Sequence, residues 1–198
     1  MLVVLCGFAG SGKDTVADWL MARGWRKMSF AATLKDAVAA IFGWPRDMLE
    51  GATVESRSWR DQVDAWWARR LNIPHLTPRW VLQNIGTEVM RGHFHDDIWI
   101  AAVERAIENH DHRGPIVITD CRFPNEFRAM CKYGCQIYDI RRGPPPPWFQ
   151  SLRDGEITRP PVDLHASEWA WISEHTDATI MNDGTLEELY DQLSKRFN

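Results

Sequence analysis

The sequence has few of the features that mark a stapled, metal-bound, membrane-bound or nucleic-acid-coating protein. Its four cysteines, Cys6, Cys121, Cys131 and Cys135, include no CxxC pair. No His or Cys stands at ligand spacing around Cys131 and Cys135, so reduced thiols are expected rather than a zinc site or a disulfide framework. The apolar start, MLVVLC, is shorter than a signal peptide and lacks a basic leader. No apolar run reaches the roughly 20 residues of a membrane-spanning helix. A cytoplasmic protein with no membrane partner is expected. The net charge is −4, so no general basic field draws the chain to nucleic acid or an anionic surface. No internal repeat is present.

What is there reads as alternating strand and helix. Met1 to Cys6 is apolar on both faces, which suits a central parallel strand. Weaker or shorter strands are predicted at Trp25 to Phe30, Pro115 to Thr119, Gln136 to Ile140 and Ala178 to Met181. Helical patterns cover Lys13 to Ala22, Ala31 to Phe42, Arg57 to Leu71, Pro78 to Gly92, Asp96 to His110, Pro124 to Tyr133 and Thr185 to Phe197. The last opens on TLEE, which has capping-box spacing. Gly143 to Val162, with four consecutive prolines, is expected to be an exposed loop of polyproline character. This order predicts an α/β fold, a five-stranded parallel sheet flanked by helices, in one domain spanning 1–198. The helical stretch is too long for one crossover and reads as an insertion at about 44–99. In such sheets ligands bind beyond the carboxyl ends of the strands. Gly7, Asp120, Arg141 and Asn182 all follow strands and should gather there.

GFAGSGKDT, Gly7 to Thr15, is a phosphate-binding loop between a strand and a helix. Its glycines allow close backbone approach, its consecutive N–H groups cradle a phosphate, and Lys13 supplies a cation. Asp14 stands where a hydroxyl usually follows the lysine, and Thr15 supplies one from the next position. VITDCRFPNE places Asp120 at a strand end, where a carboxylate can hold Mg²⁺, and Arg122 beside it for a phosphoryl group. The plainer reading of Arg122 is a surface pair with Glu126. Arg141, Arg142, Arg153 and Arg159 are candidates for a lid that excludes water, and Ser167 is the candidate cap of a helix at DLHASE. The inserted helices carry Lys35, Arg57, Arg60, Arg69, Arg70, Arg79 and Arg91 among many aromatics, and spacing does not choose between them. The 11 tryptophans include core residues and candidate walls for a nucleobase. NDG, after the last strand, is first of all a turn.

SGKDT with AD, LKDA, LQNIGTE leading to DDIW, VITDCRFPNE, RRG, HASE and NDGTLEEL occur in this order over nearly the whole chain. In this ordered set the chain resembles the deoxynucleoside monophosphate kinases of bacteriophages. The resemblance implies transfer of the γ-phosphoryl group of ATP, with Mg²⁺, to a deoxynucleoside monophosphate. It implies a parallel core, a helical acceptor-binding insertion and a lid at about 142–168. It places Gly10, Ser11, Gly12, Lys13, Asp14 and Thr15 on the ATP phosphates, and Asn182 near the donor base. Lys35, Gln83, Glu88, Trp99, Arg122, His165, Glu168 and, on a looser match, Arg79 fall on the acceptor side. Lys13, Asp120, Arg122 and Arg142 are the catalytic candidates, and Asp14, Thr15 and Asp120 the metal candidates. The substrates are then small molecules, the chain a monomer or homodimer, and the compartment the host cytoplasm if the gene is phage-borne. The alternatives are a kinase of another phosphorylated metabolite on the same fold, and a nucleotide hydrolase serving as a switch or motor.

Overall fold

The computed structural model describes residues 1–109 and 114–197. The strands are β1 (Leu2–Cys6), β2 (Arg26–Met28), β3 (Ile116–Ile118), β4 (Gln136–Arg141) and β5 (Ala178–Met181). They form one wholly parallel sheet in the order β2-β3-β1-β4-β5. β1 is buried throughout and takes the central place, because all five of its residues are apolar and both its faces must be covered. The chain leaves β1 towards one edge and crosses from β3 to β4 on the other side of it. The carboxyl ends of β1, β3 and β4 therefore flank the switch point where a ligand crevice opens.

The chain divides into two compact units, Met1–Ser29 with His110–Asn198, and Phe30–Asn109. In the first unit α1 (Lys13–Met21) buries Val16, Ala17, Trp19 and Leu20. Large apolar side chains such as Val16 and Leu20 each contribute about 1.5–3 kcal/mol, so this face, not helix propensity, holds α1 in place.

The second unit is helical. It holds α2 (Ala32–Phe42), α3 (Arg46–Glu50), α4 (Val54–Arg60), α5 (Ala65–Leu71), α6 (Pro78–Gln83) and α7 (Ile98–Glu108), with a π-helix at Asn84–Phe94 between the last two. The continuous helix predicted from Arg57 to Leu71 is instead two helices. Asp64 breaks it: its carboxylate accepts the Trp66 and Trp67 N–H groups at 3.0 Å and the Trp44 indole at 2.8 Å. An aspartate that can cap competes with helix continuation. Burial works against the charged carboxyl, but the Trp67 N–H, the Trp44 indole and the Trp66 N–H outweigh it and hold Asp64 below the usual carboxylate range. Phe42 stacks on Trp44 with centroids 4.4 Å apart, and Trp59 and Trp67 close the cluster. The helix predicted over Pro78 to Gly92 is present but widens into the π-helix. There the Trp99 indole takes the Gly86 carbonyl at 2.8 Å, and any side chain at Gly86 would run into Leu34. The helix predicted to end at His110 ends at Glu108, and His110 lies outside the described residues.

Back in the first unit, α8 (Pro124–Cys131), α9 (Phe149–Arg153) and α10 (Leu186–Phe197) complete the layers. α10 buries Leu189 and Leu193 with the α1 face, Val3, Leu5, Ile140 and Ile180 in one core. The capping box is formed: Thr185 Oγ1 accepts from the Glu188 N–H, and Glu188 Oε2 from the Thr185 N–H. The proline-rich segment is not wholly an exposed loop. α9 interrupts it, with Phe149 and Leu152 buried; their i, i+3 spacing puts both on one face. The four cysteines are free thiols, Cys6 and Cys121 buried.

Replacing Asp64 with Ala removes the α5 cap and an indole acceptor together. It is expected to cost about 1–3 kcal/mol, a fall in Tm of roughly 3–10 °C in a thermal melt. A shift below about one degree would show that the helix break does not rest on this carboxylate.

Candidate active site

The loop after β1 has the backbone a phosphate needs. Gly7 has φ 134° and Gly12 φ 102°, conformations that L side chains avoid. Space demands glycine as well: a Cβ on Gly7 would collide with the Ile140 carbonyl, and one on Gly12 with the Asn182 amide. Gly12 caps α1 without a side-chain bond, so the first N–H groups of the helix remain for an anion. Ser11 is buried, and its hydroxyl has no hydrogen-bond partner. A hydroxyl left unpaired in a phosphate cradle fits an oxygen ligand.

Lys13 Nζ donates to the Gly7 and Phe8 carbonyls, both at 2.8 Å. That uses two of its three N–H groups and arches the side chain over the loop. Burial, and then the charge of Arg122, lower its pKa to about 8. Asp14 points elsewhere. Its carboxylate pairs with Lys27 at 2.7 Å, a lysine on β2 that sequence reasoning did not single out. Asp120 follows β3 and accepts the Ser29 hydroxyl at 2.6 Å. Ser29 lies just past β2, which ends at Met28 rather than at the predicted Phe30, so the sequence reading placed it inside a strand and did not single it out.

Arg122 is not a surface partner of Glu126. The buried Glu126 carboxylate instead accepts the Arg122 and Phe123 backbone N–H groups, at 2.7 and 3.1 Å, which starts α8. The Arg122 guanidinium faces Glu168 at 3.5 Å. HASE forms a short 3₁₀ turn at Ala166–Glu168, capped by His165 rather than by the expected Ser167. His165 Nδ1 accepts the Ser167 N–H at 3.3 Å, so an imidazole nitrogen takes the place of the expected serine cap.

Of the four arginines expected in a lid, two are already engaged. Arg141 pairs with the buried Asp139 at 2.6 Å, and Arg153 approaches the same oxygen at 3.5 Å. Arg142 and Arg159 are exposed. A cavity of about 110 Å³ lies beside the loop, lined by Phe8 to Ser11, Arg141 to Pro145 and Phe149. Asn182 touches the loop itself: its side-chain amide donates to the Ser11 carbonyl at 2.9 Å, and its backbone N–H to the Arg141 carbonyl at 2.7 Å.

The remaining candidates lie in the second unit. Lys35 pairs with Glu50 at 2.5 Å. Burial works against the Glu50 charge, but Lys35 and Arg46 outweigh it and hold this carboxyl below its usual range. Arg79 grips Asp61 with two nitrogens. Gln83 ends α6 and the exposed Glu88 stands on the π-helix. Trp99 is buried and braces that helix through Gly86, so its ring offers no open wall.

The deoxynucleotide monophosphate kinase family model matches residues 49–193. The chain belongs to that family. A protein of Acanthamoeba polyphaga mimivirus, provisionally named a deoxynucleotide monophosphate kinase, is 30% identical over 207 residues, covering 98% of this chain and 94% of the viral protein. The deoxynucleoside-5'-monophosphate kinase of Escherichia phage T5 is 29% identical over 181 residues, covering 66% of this chain and 71% of its own. Among solved structures, a Thermus thermophilus protein is similar at TM-score 0.45 and 14% identity, covering 98% of this chain and 95% of that one. A gluconokinase of Sinorhizobium meliloti reaches TM-score 0.38 at 14% identity, covering 96% and 87%. The family match begins at residue 49, beyond the phosphate loop, so the loop is independent support for a nucleotide kinase.

Two outcomes are expected. Lys13 is charged below its pKa and neutral above it, so kcat/KM for ATP should fall as pH rises through about 8; a profile flat to the end of the alkaline range would contradict this. Replacing Asn182 with Ala should raise KM about tenfold for ATP and GTP alike, the loss of one well-placed hydrogen bond. A loss confined to one base would show that Asn182 reads the base rather than bracing the loop.

Proposed function

We propose that the chain transfers the γ-phosphoryl group of ATP to the phosphate of a deoxynucleoside 5'-monophosphate, in line and with Mg²⁺. The observation that carries this is a half-buried Lys13 over a glycine loop, with Arg122 and Asp120 on the same sheet edge, in a chain of this kinase family. The backbone of Gly10 to Thr15 holds the donor phosphates. Lys13 and Arg122 neutralise charge on the equatorial oxygens, and Glu168 holds the Arg122 guanidinium in direction. The acceptor phosphate is itself the nucleophile and is ionised near neutral pH, so no general base is assigned.

Mg²⁺ fits the donor set. Among the described residues no three His, Cys, Asp or Glu side chains converge on one point. Mg²⁺ bound to a nucleotide asks for less: one or two protein oxygens, with phosphate and water oxygens completing the shell. Thr15 and Asp120, the latter with Ser29 on its carboxylate, would supply them. When bound, the metal would neutralise charge on the donor phosphates. Asp14, with Lys27 on its carboxylate, is proposed as an electrostatic partner of the loop rather than a ligand. Arg142, and the 3₁₀ turn of His165 to Glu168, belong to the proposed lid at about 142–168. On the acceptor side the resemblance nominates Lys35, Arg79, Gln83 and Glu88, all in the second unit. Among the described residues no helix is long and apolar enough to cross a membrane; the host cytoplasm is the proposed compartment.

The test is chromatographic detection of dNDP from ATP and a panel of dNMPs, NMPs and base-modified monophosphates. At least one dNMP should be converted, and replacing Lys13 or Arg122 with Ala should lower kcat about 10²–10³-fold without unfolding the chain. Conversion of none of them would overturn the assignment.

A further inference from the structure

Asp139 is fully buried on β4, one residue short of the last apolar position of the strand. Its Oδ2 carries both Arg141 and Arg153, and its Oδ1 has no hydrogen-bond partner. A buried ionic cluster with an unpaired oxygen is poor economy for stability alone, because well-packed apolar residues usually serve as well. Its surroundings point to another use.

Ile137, Asp139 and Arg141 share one face of β4, since side chains alternate along a strand. On that face Arg153 returns from α9 and also donates to Thr176 Oγ1 at 3.0 Å. Both guanidinium groups lie over the Phe149 ring, Arg141 at 4.8 Å and Arg153 at 5.9 Å from its centroid. Phe149 in turn packs on Phe8 of the phosphate loop, centroids 5.8 Å apart, and Trp171 closes on both rings. The Phe8 carbonyl is one of the two that hold Lys13. The exit of β4 is fixed at two further points: the Arg141 carbonyl by the Asn182 N–H, and the Gly143 N–H by Asp183 Oδ1 at 2.5 Å. Arg142 follows directly on Arg141, and both line the cavity beside the loop together with Phe149.

We propose that Asp139 is a positioning residue for the donor site: it seats Arg141 and Arg153 on Phe149, and so sets both the exit direction of Arg142 and the seat of Phe8. This rests on reading the loop as the ATP site. Asp139 touches no substrate. Its effect should fall on the donor side and run through Arg142 and the loop.

The experiment measures binding of a non-hydrolysable ATP analogue by calorimetry, together with steady-state kinetics, for Asp139→Asn, Arg142→Ala and the double variant. Asp139→Asn is expected to raise the analogue Kd and the ATP KM about tenfold, with the dNMP KM within about twofold. In the Arg142→Ala background its effect should shrink to about threefold or less, as coupled residues require. Unchanged ATP-analogue binding in the folded variant overturns the proposal, as does an equal factor in both backgrounds, which marks a structural role only. Where Asp139→Asn does not fold, Arg141→Gln leaves Asp139 its Arg153 partner and should show the same donor-side loss; wild-type kinetics there overturns the proposal. Calorimetry separates this from the kinase reading. A wild-type chain that binds the analogue but phosphorylates no monophosphate refutes the proposed acceptor and leaves the Asp139 comparison readable.

Discussion

The seating of one ammonium group governs the donor half of the molecule. In the proposed function, Lys13 lies over a loop of bare backbone with its charge directed to a donor phosphate that water would otherwise screen. Its two bonds to the Gly7 and Phe8 carbonyls hold it there. They in turn require the loop to turn at φ values open to glycine and to pass the Ile140 carbonyl with no Cβ in the way. Burial of β1 on both faces makes such a loop possible, because a strand fixed at the centre of the sheet delivers the same backbone to the same place. Partial burial lowers the Lys13 pKa to about 8 and reduces the screening of its charge towards an anion.

Around that point the sheet edge acts by contact rather than by proximity in sequence. Each strand of the first unit ends on a residue with a task. β2 leads to Ser29, which holds Asp120; β3 leads to Asp120 and Arg122; β4 ends on Arg141; β5 leads to Asn182, which braces the loop. Charges that the sequence offers freely are in large part engaged: Asp14 by Lys27, Arg122 by Glu168, Arg141 by Asp139. Preorganisation of this kind lowers the reorganisation needed when charge moves during transfer. In the second unit the same logic appears in apolar form. A π-helix, a winding often found at functional sites, is kept in place by Trp99 on the Gly86 carbonyl and by the close approach of Leu34.

Much of this was legible in the sequence, for identifiable reasons. The strands carry apolar runs, the loop carries glycines at fixed offsets, and TLEE forms its box, so periodicity and local chemistry suffice there. The misses share a cause. Asp64 could have been an exposed residue of one long helix, and only the fold shows it taking three N–H donors. Phe149 and Leu152 were hidden behind four prolines, whose composition signals a loop more strongly than a five-residue helix signals itself. The Asn182 bond to the Ser11 carbonyl and the Trp99 bond to the Gly86 carbonyl were not legible either, because side-chain partners of this kind leave no local trace in sequence. The pairing of the lid candidates Arg141 and Arg153 with the buried Asp139 leaves no local pattern in the sequence either. Sequence pattern gives the chemistry that can be present at a sheet edge, while pairing decides which groups remain available to a ligand.

The central claim is that this edge moves a phosphoryl group to an acceptor and does not spend it on water. ATP consumption measured with and without dNMP, at fixed Mg²⁺, tests that most directly. The account expects ADP and dNDP to appear in equal amounts with acceptor, and nearly idle ATP consumption without it. Steady ATP hydrolysis that ignores the acceptor would contradict it.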